Sequence, residues 1–319
     1  MLPQVYFSSL FLCKLHLKFQ FRFLHSIFTP SLLSLLYINK SLATLFKLVK
    51  LRLLTPFPAL ILEENKEKTL VISDLHIGWE AALAKQGIHI PSQTSKMLKI
   101  LLKLIKISKP SSIIILGDLK HTIARVEIEE RRDIPSFLEE ISKKVEKIQL
   151  IPGNHDGNIK SLLPSNIELL PSSGIIAQEN IGLIHGHAWF SLKLLKCKGL
   201  IMGHMHPVVA FKDHFGFRSF KQVWVKALIN KNNLINALMK RFKKKLKEEA
   251  LSINLSQCLI MPSFNPLLGG QSVNLTWSKE NNNKEYIGPI LRSGSIDLKN
   301  AEVYLLDGSF LGKISNLQV

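Results

Sequence analysis

Five short apolar runs in this chain each end in a polar cluster drawn from Asp, Asn and His. Leu70-Val-Ile72 leads to Asp74-Leu-His76, and Ile113-Ile-Ile-Leu116 leads to Gly117-Asp118. Ile148-Gln-Leu-Ile151 leads to Gly153-Asn154-His155-Asp156, Ile181-Gly-Leu-Ile184 to His185-Gly-His187, and Leu200-Ile-Met202 to Gly203-His204-Met-His206. The runs are strand-like in length and in their content of β-branched residues. One polar residue after a strand constrains little. Five clusters in succession describe one site assembled at the carboxyl ends of several strands, where α/β sheets place their chemistry.

The segments between the runs carry helical patterns. Over 92–108, Met97, Leu101, Leu104 and Ile105 fall on one side and Lys96, Lys99, Lys103 and Lys106 on the other, which predicts an amphipathic helix. Lys109-Pro110 ends it. A short helix is expected over 79–86, stopped by Gly87. A third is expected after Asp133, with Pro135 in its first turn and Leu138, Ile141 and Val145 inward. A further strand is expected over 59–62. Strands alternating with helices predict an α/β layer arrangement. Past residue 206 the pattern turns β-rich. Strands are expected over 208–211, 217–225 and 257–261, with a helix over 233–250. The C-terminal residues read as a hairpin of 303–306 and 310–314 with a two-residue turn at Asp307-Gly308. No repeat or linker divides residues 54–319, which are read as a single domain.

Composition sets the outer limits. Of 319 residues 46% are hydrophobic, which fits a globular chain and argues against a disordered one. The net charge of +18 favours anionic partners without choosing among them. Cys13, Cys197 and Cys258 are scattered and form no CxxC, so neither a disulfide framework nor a thiolate zinc site is indicated, and a reducing, cytoplasmic setting is expected. The charge is uneven: residues 1–62 hold seven basic residues and no acid. Residues 1–53 are read as a basic, apolar extension. A secretory signal fits it poorly, because no basic residue precedes the apolar run 5–12 and no small-residue cleavage site follows. The apolar stretch 23–38 is shorter than the ~20 residues a span needs and contains His25 and Pro30. Membrane contact would therefore take the form of a surface-lying segment. The favoured reading is a non-native extension, since the pattern of runs and clusters needs nothing before about Leu54.

Asp, Asn and His are hard or borderline ligands suited to Mn, Fe, Zn or Ni, and no thiolate lies in any cluster. A site of this composition with an open position holds water and substrate. A carboxylate such as Asp118 can bridge two ions. Together the set Asp-x-His, Gly-Asp, Gly-Asn-His-Asp, His-Gly-His and Gly-His-x-His resembles the calcineurin-like metallophosphoesterases, over about residues 54–275. Within that superfamily, Ser73-Asp-Leu-His-Ile-Gly78, Gly203-His-Met-His-Pro207 and Phe264-Asn-Pro-Leu-Leu-Gly-Gly270 resemble the SbcD-related phosphoesterases of archaea. The resemblance implies a metallophosphoesterase four-layer fold, two mixed β-sheets sandwiched between helices. It implies a hydrolase with a dinuclear centre of divalent ions, Mn expected first and Fe, Zn or Ni compatible, and a bridging hydroxide that attacks phosphorus. Carried over by motif, Asp74, His76, Asp118 and His206 would hold the first metal, and Asp118, Asn154, His185 and His204 the second. His185 is preferred to His187 because the family ligand is the His before Gly. His155 would be the general acid. His121 departs from the family, where many relatives carry an Asp that orients the acid. A supporting role for His121 and a solvent-facing one both stand. Asp156 is expected to form a local turn, and Trp79 to cover the core.

The implied substrate is a phosphoester, with phosphodiesters or phosphomonoesters of nucleotide-like molecules expected first. An SbcD-like DNA nuclease, alone or with an ATPase partner, is the second reading. A catalytically silent binding module is the third, weakened because no expected ligand is missing. For nucleic acid, the stretch Lys212–Lys247 holds eleven basic residues and one acid, Asp213, among Phe215, Phe217, Phe220, Trp224 and Phe242. Such a mixture can follow a strand and stack bases. It also fits a helix whose lysines face solvent, with the aromatics in the core. Only residues 157–180 separate the third and fourth clusters, which leaves little chain for a DNA-positioning cap. No Walker A or helix-turn-helix signature appears.

Overall fold

The computed structural model describes residues 50–242, 253–275 and 288–319. The chain enters as an antiparallel meander, Lys50–Leu53 (β1), Leu60–Glu64 (β2) and Glu67–Ile72 (β3). Helices Trp79–Ala84 (α1) and Thr94–Ser108 (α2) carry it to Ser112–Leu116 (β4), and Ile128–Ser142 (α3) carries it to Lys147–Ile151 (β5) and then Ile167–Leu169 (β6). These strands form one sheet in the order β1-β2-β3-β4-β5-β6, parallel from β3 to β6. Parallel neighbours require crossovers, supplied by α1 and α2 between β3 and β4, by α3 between β4 and β5, and by a loop with the 3₁₀ turn Ile159–Leu162 between β5 and β6. β1 lies before residue 54 yet pairs along β2, Leu51 opposite Leu62 and Leu53 opposite Leu60. The sheet therefore begins four residues earlier than the boundary read from the sequence.

The second sheet uses Ile175–Ala177 (β7), Ile181–Ile184 (β8), Gly199–Met202 (β9), Val208–Lys212 (β10) and Arg218–Ile229 (β11). After helix Lys231–Phe242 (α4) come Gln257–Ile260 (β12), the short helix Pro289–Arg292 (α5), Ile296–Leu305 (β13) and Phe310–Lys313 (β14). The order is β14-β13-β11-β12-β9-β8-β7, with β10 paired to β11. β8, β9 and β12 run parallel.

Period-two alternation sets the layers. In β4, Ile114 and Leu116 point to the second sheet, into a cluster with Ile201, Trp224 and Leu259. Ile113 and Ile115 point the other way, against Met97, Leu101, Phe137 and Leu138 of α2 and α3. In β9, Leu200 and Met202 pack outward with Leu194, Leu234 and Leu238. The result is two mixed sheets between helical layers, as the resemblance implies. No helix of the described residues is long and apolar enough to cross a membrane.

Beyond strands that run longer than expected, as β11 does to Ile229 and β13 does from Ile296, two differences have a local cause. α3 begins at Ile128, so Pro135 sits inside it. The start is set by a capping box in which Glu127 and Glu130 each accept from the other's backbone N–H, a signal that acidic residues give less plainly than Ser or Thr. Pro135 removes the N–H that the Arg131 carbonyl would accept, but Arg131 is exposed and water can serve it. In the C-terminal hairpin, Leu305 N donates to Ser309 O at 2.9 Å, so Leu306, Asp307 and Gly308 form a three-residue loop. Gly308 takes φ +97°, the left-handed position that such loops reserve for glycine. The basic end of the expected 233–250 helix lies outside the described residues.

The layering makes a stability prediction. Ile201→Ala, in the layer between the sheets, is expected to cost about 2–5 kcal/mol. Leu228→Ala, at a 57% exposed position of β11, should stay within about 0.5 kcal/mol. Urea unfolding of both variants checks it; equal losses would contradict the assigned layers.

Candidate metal centre

The parallel strands deliver their carboxyl ends to one rim. Asp74 follows β3, Asp118 follows β4 and Asn154 follows β5, while His185 follows β8 and His204 follows β9. At this rim the chain leaves the pleat abruptly. Asp74, His76, Asp118, His204 and His206 all have positive φ, between 46° and 69°. Such backbone costs about 1–3 kcal/mol per residue and persists only where the surroundings impose it. Here the loops after β3 and β4 continue to pair: Asp74 N donates to Gly117 O, His76 N to Asp118 O and Ile77 N to Leu119 O, at 3.1, 2.9 and 2.9 Å. The loop after β12 binds across the two sheets, with Phe264 N donating to Ser73 O at 2.7 Å. Glycine is required where side chains converge. A Cβ on Gly117 would strike the His185 ring, and one on Gly203 would strike Ser73 Oγ and lie 2.6 Å from Asp74 Oδ2.

The ligand-type atoms fall into three groups, two of which share Asp118, while the third brings His76, His121 and His155 together. Atoms of Asp74, His76, Asp118 and His206 lie within 4.8 Å of one another, and so do atoms of Asp118, His185 and His204. Asp118 Oδ2 sits 3.4 Å from His76 Nε2 and 3.2 Å from His185 Nε2, while Oδ1 accepts from His155 N at 2.9 Å. Asp74 Oδ1 lies 3.0 Å from His206 Nε2. The ring orientations are fixed from behind. His185 Nδ1 donates to Leu116 O at 2.9 Å, which turns Nε2 inward. The Nε2 atoms of His76, His185 and His206 are buried and face carboxylate oxygens without hydrogen-bond alignment, and Asn154 Oδ1 is buried and unpartnered. Buried polar atoms are normally satisfied. Ligand-type atoms that converge in this way without aligned hydrogen bonds between them fit a cation site. His187 lies outside all three groups, its ring 5.3 Å from that of His185.

The charges reinforce one another. Burial alone would raise both carboxylates, but His185 and His76 hold Asp118 well below the usual range, and His206 and His185 do the same for Asp74. Against its own burial, His185 is raised to about 9 by Asp118 and Asp74. Burial and the neighbouring His185 push His204 down to about 3. The cluster therefore keeps two carboxylates ionised beside imidazoles that are protonated or neutral according to their nearest anion. Divalent cations satisfy the same anions while leaving the imidazoles neutral.

Lys120 and Glu130, which the sequence did not single out, help to hold the loop beside the centre. Lys120 is buried, and its Nζ donates to the carbonyls of Thr122, Ile123 and Arg125. Glu130 Oε1 accepts from His121 N and Thr122 N at 3.2 and 2.6 Å. Asp156 accepts from Gly153 N across its own turn and from Leu119 N and Lys120 N across the rim. It is thus the turn former expected, and also a tie between β4 and β5. Its carboxyl is pushed up to about 6 by burial and by Asp118. This frame presents the His121 carbonyl to His155 Nδ1. The His121 ring is half-buried, with Nδ1 3.2 Å from His76 Nδ1, so it supports a candidate ligand from behind. Asn265 is buried too, and its Nδ2 donates to Leu75 O at 3.1 Å, between Asp74 and His76. A lysine between two motif residues carries no periodic signal, and only the fold reveals what it touches, whereas Asn265 belongs to a loop that follows a strand as the ligand clusters do and is expected near the pocket on that ground.

Fold and rim together define a metal-dependent phosphoester hydrolase class, and the family comparison agrees. A family model described as calcineurin-like phosphoesterase matches residues 67–237. The chain belongs to that family. No curated protein matches. Among solved structures, the chain is similar to the nuclease MPE of Pseudomonas putida at 16% identity and TM-score 0.42, covering 80% of this chain and 99% of that one. It is also similar to Yfce, a phosphoesterase from E. coli, at 20% identity and TM-score 0.30, covering 46% and 73%.

The Lys120 cage makes the next prediction. Lys120→Met keeps the stem but strips three carbonyls of their shared donor, at an expected cost of about 2 kcal/mol. That corresponds to a melting temperature roughly 4–8 °C lower. Lys144→Met, at an exposed position, is the control and should not shift it. Equal melting temperatures for the two variants would show that the cage contributes nothing.

Proposed function

We propose that the chain is a phosphodiesterase or phosphatase that works with two divalent cations, Mn the first choice, on nucleotide-like esters. The observation that carries this reading is the pair of ligand groups sharing Asp118, each with its atoms within 4.8 Å. Asp74, His76, Asp118 and His206 would hold one cation, and Asp118, Asn154, His185 and His204 the other. When bound, such cations polarise phosphoryl oxygens and lower the pKa of a coordinated water. Everything else falls to the protein. Leu116 O keeps the proton of His185 on Nδ1, and His76 and His121 share one proton between their Nδ1 atoms. Each arrangement leaves Nε2 of the ligand free to coordinate. His155 serves as the general acid. With Nδ1 bound to the His121 carbonyl, its Nε2 is the nitrogen able to hand a proton to the departing ester oxygen. His121 then takes part through its carbonyl, where relatives use an Asp side chain.

Two outcomes test this reading. Mn²⁺ should raise the melting temperature of the unsubstituted protein in proportion to the logarithm of its concentration, since a ligand of the folded state alone stabilises by mass action. Asp118→Asn should lose most of that rise, as a residue counted in both groups. A shift that survives Asp118→Asn would remove Asp118 from the centre. His155→Ala should keep the Mn²⁺-dependent shift and lose roughly 10²–10⁴-fold in turnover of an alkyl phosphodiester. An activated aryl phosphodiester, whose leaving group needs no proton, should suffer far less. Equal losses on both esters would remove the acid role.

A further inference from the structure

The hairpin that follows His206 carries a surface the metal centre does not use. β10 and β11 leave the sandwich beyond Ala210 and Val223, both buried, and run outward. Phe215 and Phe217 are each 75% exposed, Phe220 53% and Phe211 41%. Four exposed phenylalanines within ten residues mark an interaction surface. Its charge is cationic. Lys212, Arg218 and Lys221 are exposed. The single acid, Asp213, closes the hairpin tip by accepting from Phe215 N and Phe217 N, both at 2.9 Å.

The register orders these groups relative to the centre. Gln222 stands opposite Val208, Phe220 opposite Ala210 and Arg218 opposite Lys212. Alternate residues share a face, so Gln222, Phe220 and the Lys212–Arg218 pair form one row, with Phe215 and Phe217 beyond it at the tip. The inner end of the row is anchored at the rim. Gln222 Nε2 donates to the carbonyls of Ser263 and Asn265 at 2.9 and 3.2 Å, and Asn265 in turn holds Leu75, between Asp74 and His76. Moving outward from the rim, the surface therefore reads aromatic, cationic pair, aromatic.

We propose that this hairpin is a binding platform for single-stranded nucleic acid leading into the metal centre. The proposal rests on the phosphoesterase reading and names its substrate class. Bases stack on Phe220 and on the tip phenylalanines, and phosphates meet Lys212 and Arg218 between them. Exposed rings bind bases of any sequence through their π-faces, and they reach them only where the bases are unpaired. A bilayer would engage the tip alone and leave Phe220 and the row behind it without a partner. The alternation back to the rim fits a chain of bases and phosphates.

The test uses the full chain and a fluorescein-labelled 20-nucleotide single strand of mixed sequence. Binding is read by anisotropy in EDTA, so that it is independent of turnover. The unsubstituted protein should bind, and bind the matching duplex more weakly. Phe215→Ala/Phe217→Ala/Phe220→Ala should raise Kd at least roughly tenfold. Lys212→Ala/Arg218→Ala should flatten the slope of log K against log salt by roughly 1.4, two phosphate contacts' worth for a single strand. Melting temperatures establish that the variants fold. A triple variant within twofold of the unsubstituted Kd would overturn the platform. So would binding to vesicles of equal phosphatidylserine and phosphatidylcholine, lost in the triple variant, with no binding of the single strand. The underlying reading is tested separately by hydrolysis of an aryl phosphodiester with Mn²⁺. Hydrolysis with an unaltered Kd sinks the platform alone, whereas no hydrolysis with an altered Kd sinks the phosphoesterase reading alone.

Discussion

The rim is organised around the Asp118 carboxylate. It is buried, it lies within 3.4 Å of two imidazoles from different sheets, and it receives the backbone N–H of His155 from a third strand end. A buried anion is costly unless it is surrounded in this way. The constraint passes outward from there. To meet Asp118, His185 must lie against Gly117, where no side chain fits, and must be oriented by Leu116 O. To meet His76, the loop after β3 must run beside the loop after β4, which their backbone hydrogen bonds enforce. The two sheets are thereby registered to each other at the rim by charge as well as by the apolar layer between them.

That registration explains why left-handed backbone is concentrated here. Residues two apart in a strand share a face but stand roughly 6.6 Å apart along it, so Asp74 and His76, or His204 and His206, cannot aim ligand atoms at one small volume without a bend. Non-glycine residues at positive φ supply the bend, and the paired loops and the Ser73–Phe264 bond hold it. The strain sits on candidate ligands, and the compensation lies in side chains that bond the backbone of the flanking loops: Lys120, Glu130 and Asn265.

Much of this was legible in the sequence because two signals are local. The layers follow from period two in β4 and β9 and from the helical stripe of α2, and the candidate ligands from polar clusters at the strand ends. What escaped notice was non-local. Glu127 and Glu130 cap α3 with side chains that read as ordinary surface acids, so the sequence offers no plain start before Asp133 and Pro135 reads as a proline near the first turn. The short strands β6 and β7 have three residues each, too few for a periodic signal. Lys120 looks like any of the chain's many lysines until the loop folds over it. The aromatic, basic stretch near 212–242 was ambiguous because it contains two kinds of residue. Trp224 belongs to the core and Phe215 to the surface, and only the point at which the hairpin leaves the sandwich separates them.

The order of these parts along the chain has a physical consequence. His204 and His206 close the rim, and β10 begins two residues later. The same turn therefore sets both the last candidate ligands and the direction in which the hairpin projects. Gly270 packs so tightly against the His206 carbonyl that a Cβ there would collide with it, and Gln222 ties the hairpin to the Ser263–Asn265 segment. A displacement of the hairpin base would thus be felt at His206 directly and at Asp74 and His76 through Asn265. The exposed phenylalanines, which touch none of these bonds, are free to vary without disturbing the rim. The hairpin can change what it binds while the geometry that holds Asp118 stays fixed.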